Sequence, residues 1–376
     1  MGIKGLNNLL RKFDIFEEIS ISEYAYKIVA IDTSLYVYKY KFAAGERWLT
    51  SFVQLISTLR KNEIHCVFIF DSKAPEEKKQ EQDKRRELRE KDKMRTFELE
   101  ESLNKFHLTN EIDESLKKLN EKLLLDERSK NSNRLLSSRN NTNNNDAFNI
   151  TRIESYIEKI KSRSINVDNE DFELAKKLFD NLGVPYFMAP QEAECFCSDL
   201  CKKGIVHAVL SDDTDVLAYG SPCYLSKLNL TTETCIKVTR TNLLRELKLD
   251  YNQFLDVCIL SGTDYNKNIE GVAVMKAYEI ILKHKSIEEF EKYINSTDPK
   301  NLKKYESNCI GKISDINHEH IRTMFTDYKT ETIKVSYCER PIWNNVSKFL
   351  KENNCLFNIE TLKKSYEPPE IVLIMD

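Results

Sequence analysis

Nothing in these 376 residues reads as a membrane span, because no uninterrupted apolar run approaches the length that a bilayer requires. The opening "MGIKGLNNLL" lacks the apolar block of a secretory leader. Leu6 stands where an N-myristoylation pattern wants serine or threonine. These absences lead us to expect an intracellular protein with no membrane partner. Histidine is scarce: six are scattered along the chain and form no obvious catalytic set. Paired C-x-x-C units are missing, and Cys195, Cys197 and Cys201 with His207 do not have zinc-site spacing. The ten cysteines are therefore expected as reduced thiols. There is no internal repeat and no large charge of either sign, the net charge being −3.

What is present is a soluble-protein composition, 41% hydrophobic and 31% charged, in a chain long enough for one large domain or two ordinary ones. Charge is unevenly placed. Between Lys73 and Arg95 ten basic residues face seven acidic ones. Three apolar runs end in acid: "KIVAID" at Asp32, "HCVFIFD" at Asp71, and "IVHAVLSDDTD" at Asp212, Asp213 and Asp215. They are continuous rather than alternating, as in parallel strands covered on both faces. The helical patterns "WLTSFVQLISTLRK" and "DFELAKKLFDNLG" separate them. An α/β domain with a mainly parallel sheet flanked by helices is predicted, with the acids gathered at the carboxyl edge of that sheet.

From Pro75 to about Asn120 the chain is charged and helix-forming, and Pro75 followed by Glu76 and Glu77 suits a helix start. The Asn/Ser-rich stretch 131–146 reads as a disordered loop. The boundaries set on this basis are 1–95 and 170–262 for two halves of one core, 96–169 for a helical insertion, 263–290 for a short element after "SGTDYN", and 291–376 for a mainly helical end.

The chemistry points to Asp32, Asp71, Glu192, Glu194, Asp213, Asp215 and Asp264. Crowded carboxylates raise one another's pKa and stay ionised only around cations. All-oxygen ligation selects Mg²⁺, with Mn²⁺ able to substitute. Two such ions would activate water and stabilise both oxygens of an in-line phosphodiester displacement. Without these seven acids the rest of the chain carries +4, a mildly basic body around an acidic pocket. Glu192 and Glu194 pose a problem, since residues two apart on a helix point about 200° from each other. Both can face one site only at a turn or a helix entry, for which Pro190 is suitably placed. Asp212 is expected to stand aside. A haloacid-dehalogenase reading of "DDTDVL" leaves Asp32, Asp71 and both glutamates unexplained.

The motifs "MGIKGL", "AIDTSLYVY", "VFIFDSKAPEEKKQEQDKRR", "APQEAEC", "SDDTDVLAYGSP" and "VCILSGTDYNKNIEGV", in this order, resemble the XPG/flap-endonuclease family of structure-specific 5′ nucleases. The match spans roughly 1–95 and 170–290. The resemblance implies a PIN-like (resolvase-like) core with a helical arch at 96–169 and a helix-hairpin-helix-type element at 263–290. It also implies two Mg²⁺ on the seven carboxylates named above, and cleavage of 5′-flapped or branched DNA near single-strand/double-strand junctions in replication and repair. The expected compartment is the nucleus or another site of DNA replication, and a monomer is expected. Lys78 and Arg85 match the family's catalytic Lys and Arg. Together with Arg89 they recur at i, i+7 and i+11, one face of a helix. Tyr38 matches an aromatic that stacks on a base, with core packing as its competing role. Gly2 matches an N-terminal glycine close to the site. Gly271 and Lys276 fall in the loop that presents backbone N–H groups to duplex phosphates, although Ala273 replaces a second glycine there. Ser72 replaces a usual glycine, the chain is short between Tyr38 and Ser51, and no sliding-clamp peptide is recognisable. The alternatives are a 5′→3′ exonuclease or junction or bubble endonuclease of the same superfamily, or a catalytically silent nucleic-acid-binding protein on the same fold.

Overall fold

The apolar runs that end in acid become neighbouring strands. A computed structural model describes residues 2–72, 76–132, 148–163, 167–328 and 333–367. Seven strands form one sheet: β1 Glu17–Ser20, β2 Ile28–Asp32, β3 His65–Phe70, β4 Tyr186–Met188, β5 Ala208–Leu210, β6 Cys223–Asn229 and β7 Thr234–Thr239. Their order is β1-β7-β6-β5-β2-β3-β4. Strands β2 to β6 are mutually parallel, and β7 runs antiparallel to both β6 and β1. The sheet is therefore mainly parallel, as the sequence predicts.

The β6–β7 hairpin and β1 were not expected from the sequence. The edge strand β1 is mostly exposed, β7 is partly buried, and β6 is buried over its first four residues and open beyond, so none of the three carries a long continuous apolar run. The chain leaves β2 toward β3 and β4 on one side and returns to β5 and β6 on the other. The carboxyl end of β2 is thus a topological switch point, where open α/β sheets bind ligands.

Both faces of the sheet are covered. One core gathers Leu6, Leu9, Val209, Phe254 and Leu260 from β5 and the flanking helices. The other is aromatic, with Phe52, Phe68, Phe70 and Phe179 together and Phe68 stacked on Phe179 at 4.1 Å between ring centres. "WLTSFVQLISTLRK" is the helix Trp48–Lys61, and "DFELAKKLFDNLG" supplies the helix Asn169–Leu182, capped by Asp168 and closed by Gly183 at φ 64°.

The chain divides into two units, residues 1–81 with 167–376, and residues 82–166. This division falls at 81/82 and 166/167, where the sequence boundaries stand at 95/96 and 169/170; both 81/82 and 95/96 lie within the helix Lys79–Thr109. In the second unit, Leu99, Leu116, Leu119, Ile153 and Ile157 from three helices form a small core of their own. The expected Asn-rich loop falls almost entirely outside the described residues. Residues 291–367 do not stand apart: Val346, Phe349, Leu350 and Leu362 pack into the aromatic core of the first unit. Among the described residues no helix is long and apolar enough to cross a membrane.

Candidate active site

Asp32 is the last residue of β2 and also caps the helix Thr33–Ala44, accepting from the Leu35 N–H at 3.4 Å. Its other oxygen accepts from the Ser211 hydroxyl at 3.0 Å. Strand register explains the meeting. Asp32 pairs with Ile69 of β3 and Ile31 with Leu210 of β5, so Asp71 and Asp213 emerge beside it within a few residues of their strand ends. Asp71 is the most open of the set. It accepts from the Ala193 N–H at 2.7 Å, which ties the end of β3 to the start of the helix Ala193–Lys202.

That contact also resolves the Glu192/Glu194 conflict. Glu192 is the residue capping this helix, in extended conformation at φ −99° and ψ 142°, and Glu194 lies in its first turn. The helical 200° separation does not apply across a helix boundary. Both carboxylates reach the pocket for this reason.

Asp213 accepts from the Asp215 N–H at 2.9 Å, and its own N–H donates to Ser211 Oγ at 3.0 Å. Asp215 is fully buried, and among the described residues none donates a hydrogen bond to either of its carboxylate oxygens. A buried carboxylate without donors is costly, which marks a place for a cation. Lys78 supplies part of the compensation. Its ammonium lies 2.6 Å from Glu192 Oε1, 3.6 Å from Asp264 Oδ2 and 3.9 Å from Asp215 Oδ2, with the Tyr265 ring 5.2 Å away. Burial, then the Asp71 and Asp213 charges, push the Asp32 carboxyl well above the usual range. Burial with Asp32 and Asp71 does the same to Glu194, and burial with Asp213 to Asp215. Asp213 is also raised, chiefly by burial.

Among the described residues, no three of these side chains already stand at metal-holding geometry. The donor chemistry nevertheless fits a hard divalent cation: oxygen ligands only, mutual repulsion, and the unsatisfied oxygens of Asp215.

Lys78 does not sit on the long helix. It ends a short 3₁₀ turn, Glu76–Lys78, directly ahead of the helix Lys79–Thr109 that carries Arg85 and Arg89. Arg85 and Arg89 belong to the second unit, where Arg89 Nε donates to the Arg85 carbonyl at 3.3 Å. Pro75 lies outside the described residues.

Tyr38 is 43% exposed on the helix Thr33–Ala44, and Tyr36 and Tyr40 are the buried tyrosines of that stretch. Phe42, one turn on and 44% exposed, was not singled out from the sequence. Gly2, at φ +85°, is pressed against the acidic loop: a Cβ there would lie 2.1 Å from Asp213 Oδ1 and 2.8 Å from Asp215 N. Gly271, at φ +83°, lies in the loop before the helix Val274–His284, and Lys276 pairs with Glu279 at 2.6 Å. Asp212 turns aside to Lys39 at 2.6 Å and the Lys227 N–H at 2.8 Å. Cys195, Cys197 and Cys201 are buried free thiols.

Sequence reasoning missed two tyrosines. The Tyr219 and Tyr265 hydroxyls both donate to Glu192 Oε2, at 3.1 and 2.8 Å, and contact each other. They hold Glu192 Oε2, while Lys78 takes Oε1. Tyr265 directly follows Asp264 in "SGTDYN", the one cue available. Tyr219 looks like ordinary apolar sequence.

Comparison with known proteins bears on this geometry. The XPG N-terminal domain model matches residues 1–92 and the XPG I-region model residues 183–264. "Probable RAD2-like endonuclease 369L" of Invertebrate iridescent virus 6 is 33% identical, over 93% of this chain and 86% of the relative. "Flap endonuclease 1" of Mus musculus is 30% identical, over 77% of this chain and 68% of that protein. In fold, the chain resembles the catalytic core of Rad2 in complex with DNA substrate at a TM-score of 0.66 and 15% identity, covering 97% of this chain and 98% of that one.

Proposed function

The chain belongs to the XPG/flap-endonuclease family, and from that membership we propose that it is a structure-specific nuclease acting on DNA at 5′ flaps or related branched junctions. The observation that carries the chemical part is Asp215, fully buried without a hydrogen-bond donor beside a lysine shared with Glu192 and Asp264.

Asp32, Asp71, Glu192, Glu194, Asp213, Asp215 and Asp264 would hold two Mg²⁺ ions, with Mn²⁺ as a substitute. When bound, these ions supply an activated water and stabilise the leaving oxygen. The protein's own groups do the rest. Lys78 brings positive charge to the phosphate side of the pocket. Tyr219 and Tyr265 hold Glu192 still. Arg85 and Arg89 of the second unit are assigned to the phosphates of the scissile strand, and Gly271 and Lys276 to the duplex backbone. The exposed Tyr38 is free to stack on a base, which core packing would forbid. We assign the protein to DNA replication or repair at an intracellular site of DNA synthesis, acting as a monomer.

The test is incubation of 5′-labelled flap, nicked, bubble and blunt duplexes with Mg²⁺. The expected products are oligonucleotides released at the flap junction. Mononucleotides from nicked and blunt ends would instead mark a 5′→3′ exonuclease, and no cleavage of any substrate would sink the proposal.

Two smaller effects check the site itself. Gly2→Ala combines a strained positive φ with a collision against Asp213, so cleavage should fall by about tenfold or more as the acidic loop shifts. Full activity in that variant would show that Gly2 does not set the loop.

The second check is thermal. Asp32, Glu194, Asp213 and Asp215 have raised values in the folded state. Their contribution to stability is therefore complete below ordinary carboxylate values and is lost as pH climbs through the folded-state values. The metal-free protein carries that loss at pH 8. Bound Mg²⁺ removes it, so the cation should raise the melting midpoint more at pH 8 than at pH 5. Equal shifts at both pH values would contradict the assigned ligand set.

A further inference from the structure

Away from the carboxylates, on the aromatic side of the sheet, a second reactive cluster lies where the C-terminal segment crosses β3. All ten cysteines are free thiols. Cys66 is wholly buried within β3, whereas Cys338 is only partly covered, in the coil preceding the helix Trp343–Glu352. The Cys338 thiol donates to the Cys66 carbonyl oxygen at 3.5 Å, which sets it beside Cys66. The Cys338 N–H donates to His65 Nδ1 at 3.1 Å, and Arg60 Nη1 stands 3.3 Å from that same nitrogen. The neighbouring Glu339 N–H donates to the Gly183 carbonyl at 2.7 Å, which holds the segment in register.

We propose that Cys338 and Cys66 are a peroxide-oxidisable pair whose disulfide fastens the C-terminal segment to β3. The Cys338 thiolate attacks a hydroperoxide; the O–O bond breaks, an S–O bond forms, and hydroxide leaves with the electron pair. Sulfur is oxidised to the sulfenic acid and the peroxide is reduced. The Cys66 sulfur then displaces the hydroxyl of that sulfenic acid. The S–S bond forms, the S–O bond breaks, and the Cys66 proton leaves with the hydroxyl as water. The net change is two thiols and one hydrogen peroxide to one disulfide and two waters.

Three features suit Cys338 to the attacking role. The residue is only half-buried, its sulfur lies against the backbone of the resolving partner, and His65 and Arg60 stand beside it. The hydrogen bond with Cys66, then His65 and Arg60, lower its pKa well below the ordinary thiol value, whereas the other nine cysteines are all raised. The linkage would join positions 272 residues apart, a closure expected to stabilise the fold by restricting the unfolded chain. Such a bond in an intracellular protein is reversible and redox-sensing rather than permanent. Cys66 is the second residue of β3 and Asp71 directly follows its last, so the crosslink would tie the segment to the amino end of the strand that delivers a site carboxylate.

The full chain, reduced and then exposed to stoichiometric hydrogen peroxide, is digested with trypsin without reductant. The expected product joins the peptide 62–73, which contains Cys66, to the peptide 335–348, which contains Cys338, with the mass of two hydrogens lost. Dithiothreitol should separate the two, and the oxidised protein should melt several degrees higher than the reduced one. Cys338→Ser should abolish the linked peptide. The wild-type map does not depend on how any variant folds. If Cys338 is carried to sulfinic or sulfonic acid with no linked peptide, or if the crosslink joins other cysteines, the proposal fails.

Discussion

Asp215→Asn should reduce Mg²⁺-dependent cleavage by about 10³-fold or more, equivalent to about 4 kcal/mol of barrier, while raising the melting midpoint of the metal-free protein. The two effects have one origin. Asp215 is wholly buried, receives no hydrogen bond, and is raised by burial, by Asp213 and by Asp264 and Glu192. In the proposed role, its negative charge is a cost to the metal-free protein that serves to hold a cation. Asparagine keeps the shape and removes that charge, relieving the repulsion and removing the ligand together. The measurements are single-turnover cleavage of a 5′-flap substrate and differential scanning fluorimetry in a chelating buffer. Near wild-type cleavage would remove Asp215 from the mechanism. Lost activity with a lowered midpoint would mean that the residue is structural instead.

Lys78→Met should lower activity by a similar order, about 10²–10³-fold, but with the opposite effect on stability. The ammonium is nearly buried against Glu192, Asp215 and Asp264. Removing one partner of such an arrangement leaves uncompensated buried charge, a loss of about 3–5 kcal/mol. The sign follows from the raised Lys78 value, raised by Glu192 first, with Tyr265, Asp215 and Glu194 adding to it against the opposing effect of burial. A cation held more tightly in the folded state contributes stability throughout the neutral range and loses it only in strong alkali. The destabilisation should therefore be flat between pH 6 and 9 in urea unfolding. Combining it with Asp215→Asn should cost less than the sum of the two, because part of the unpaired charge is already gone. Strict additivity would show that Lys78 and Asp215 do not act on one another.

The two tyrosines on Glu192 show why the site was only partly legible beforehand. All seven carboxylates can be found in the sequence, because acid at the end of a continuous apolar run is a local signal. That Asp32, Asp71 and Asp213 converge follows from parallel strands alone. The hydroxyls of Tyr219 and Tyr265 come from positions 27 and 73 residues away from Glu192, and no periodicity marks them. Lys78 was found, but its 3₁₀ turn was not, because a charged helical pattern does not reveal where the first regular turn begins. The β6–β7 hairpin was missed because polar residues interrupt both of its strands, "CYLSKLN" and "TCIKVT", a weaker pattern than a continuous apolar run.

The sequence by itself determined the α/β class, the helices Trp48–Lys61 and Asn169–Leu182, and the acidic edge of the sheet. Those features depend on neighbours in the chain. Tertiary structure alone decided that Asp215 would lack donors, that Glu192 would cap a helix and be held by Lys78 and two tyrosines, and that Cys66 would meet Cys338. Each of those depends on which distant segments share a water-excluded space. Such pairings are fixed by packing of the whole sheet and its covering helices, and local sequence patterns carry no record of them.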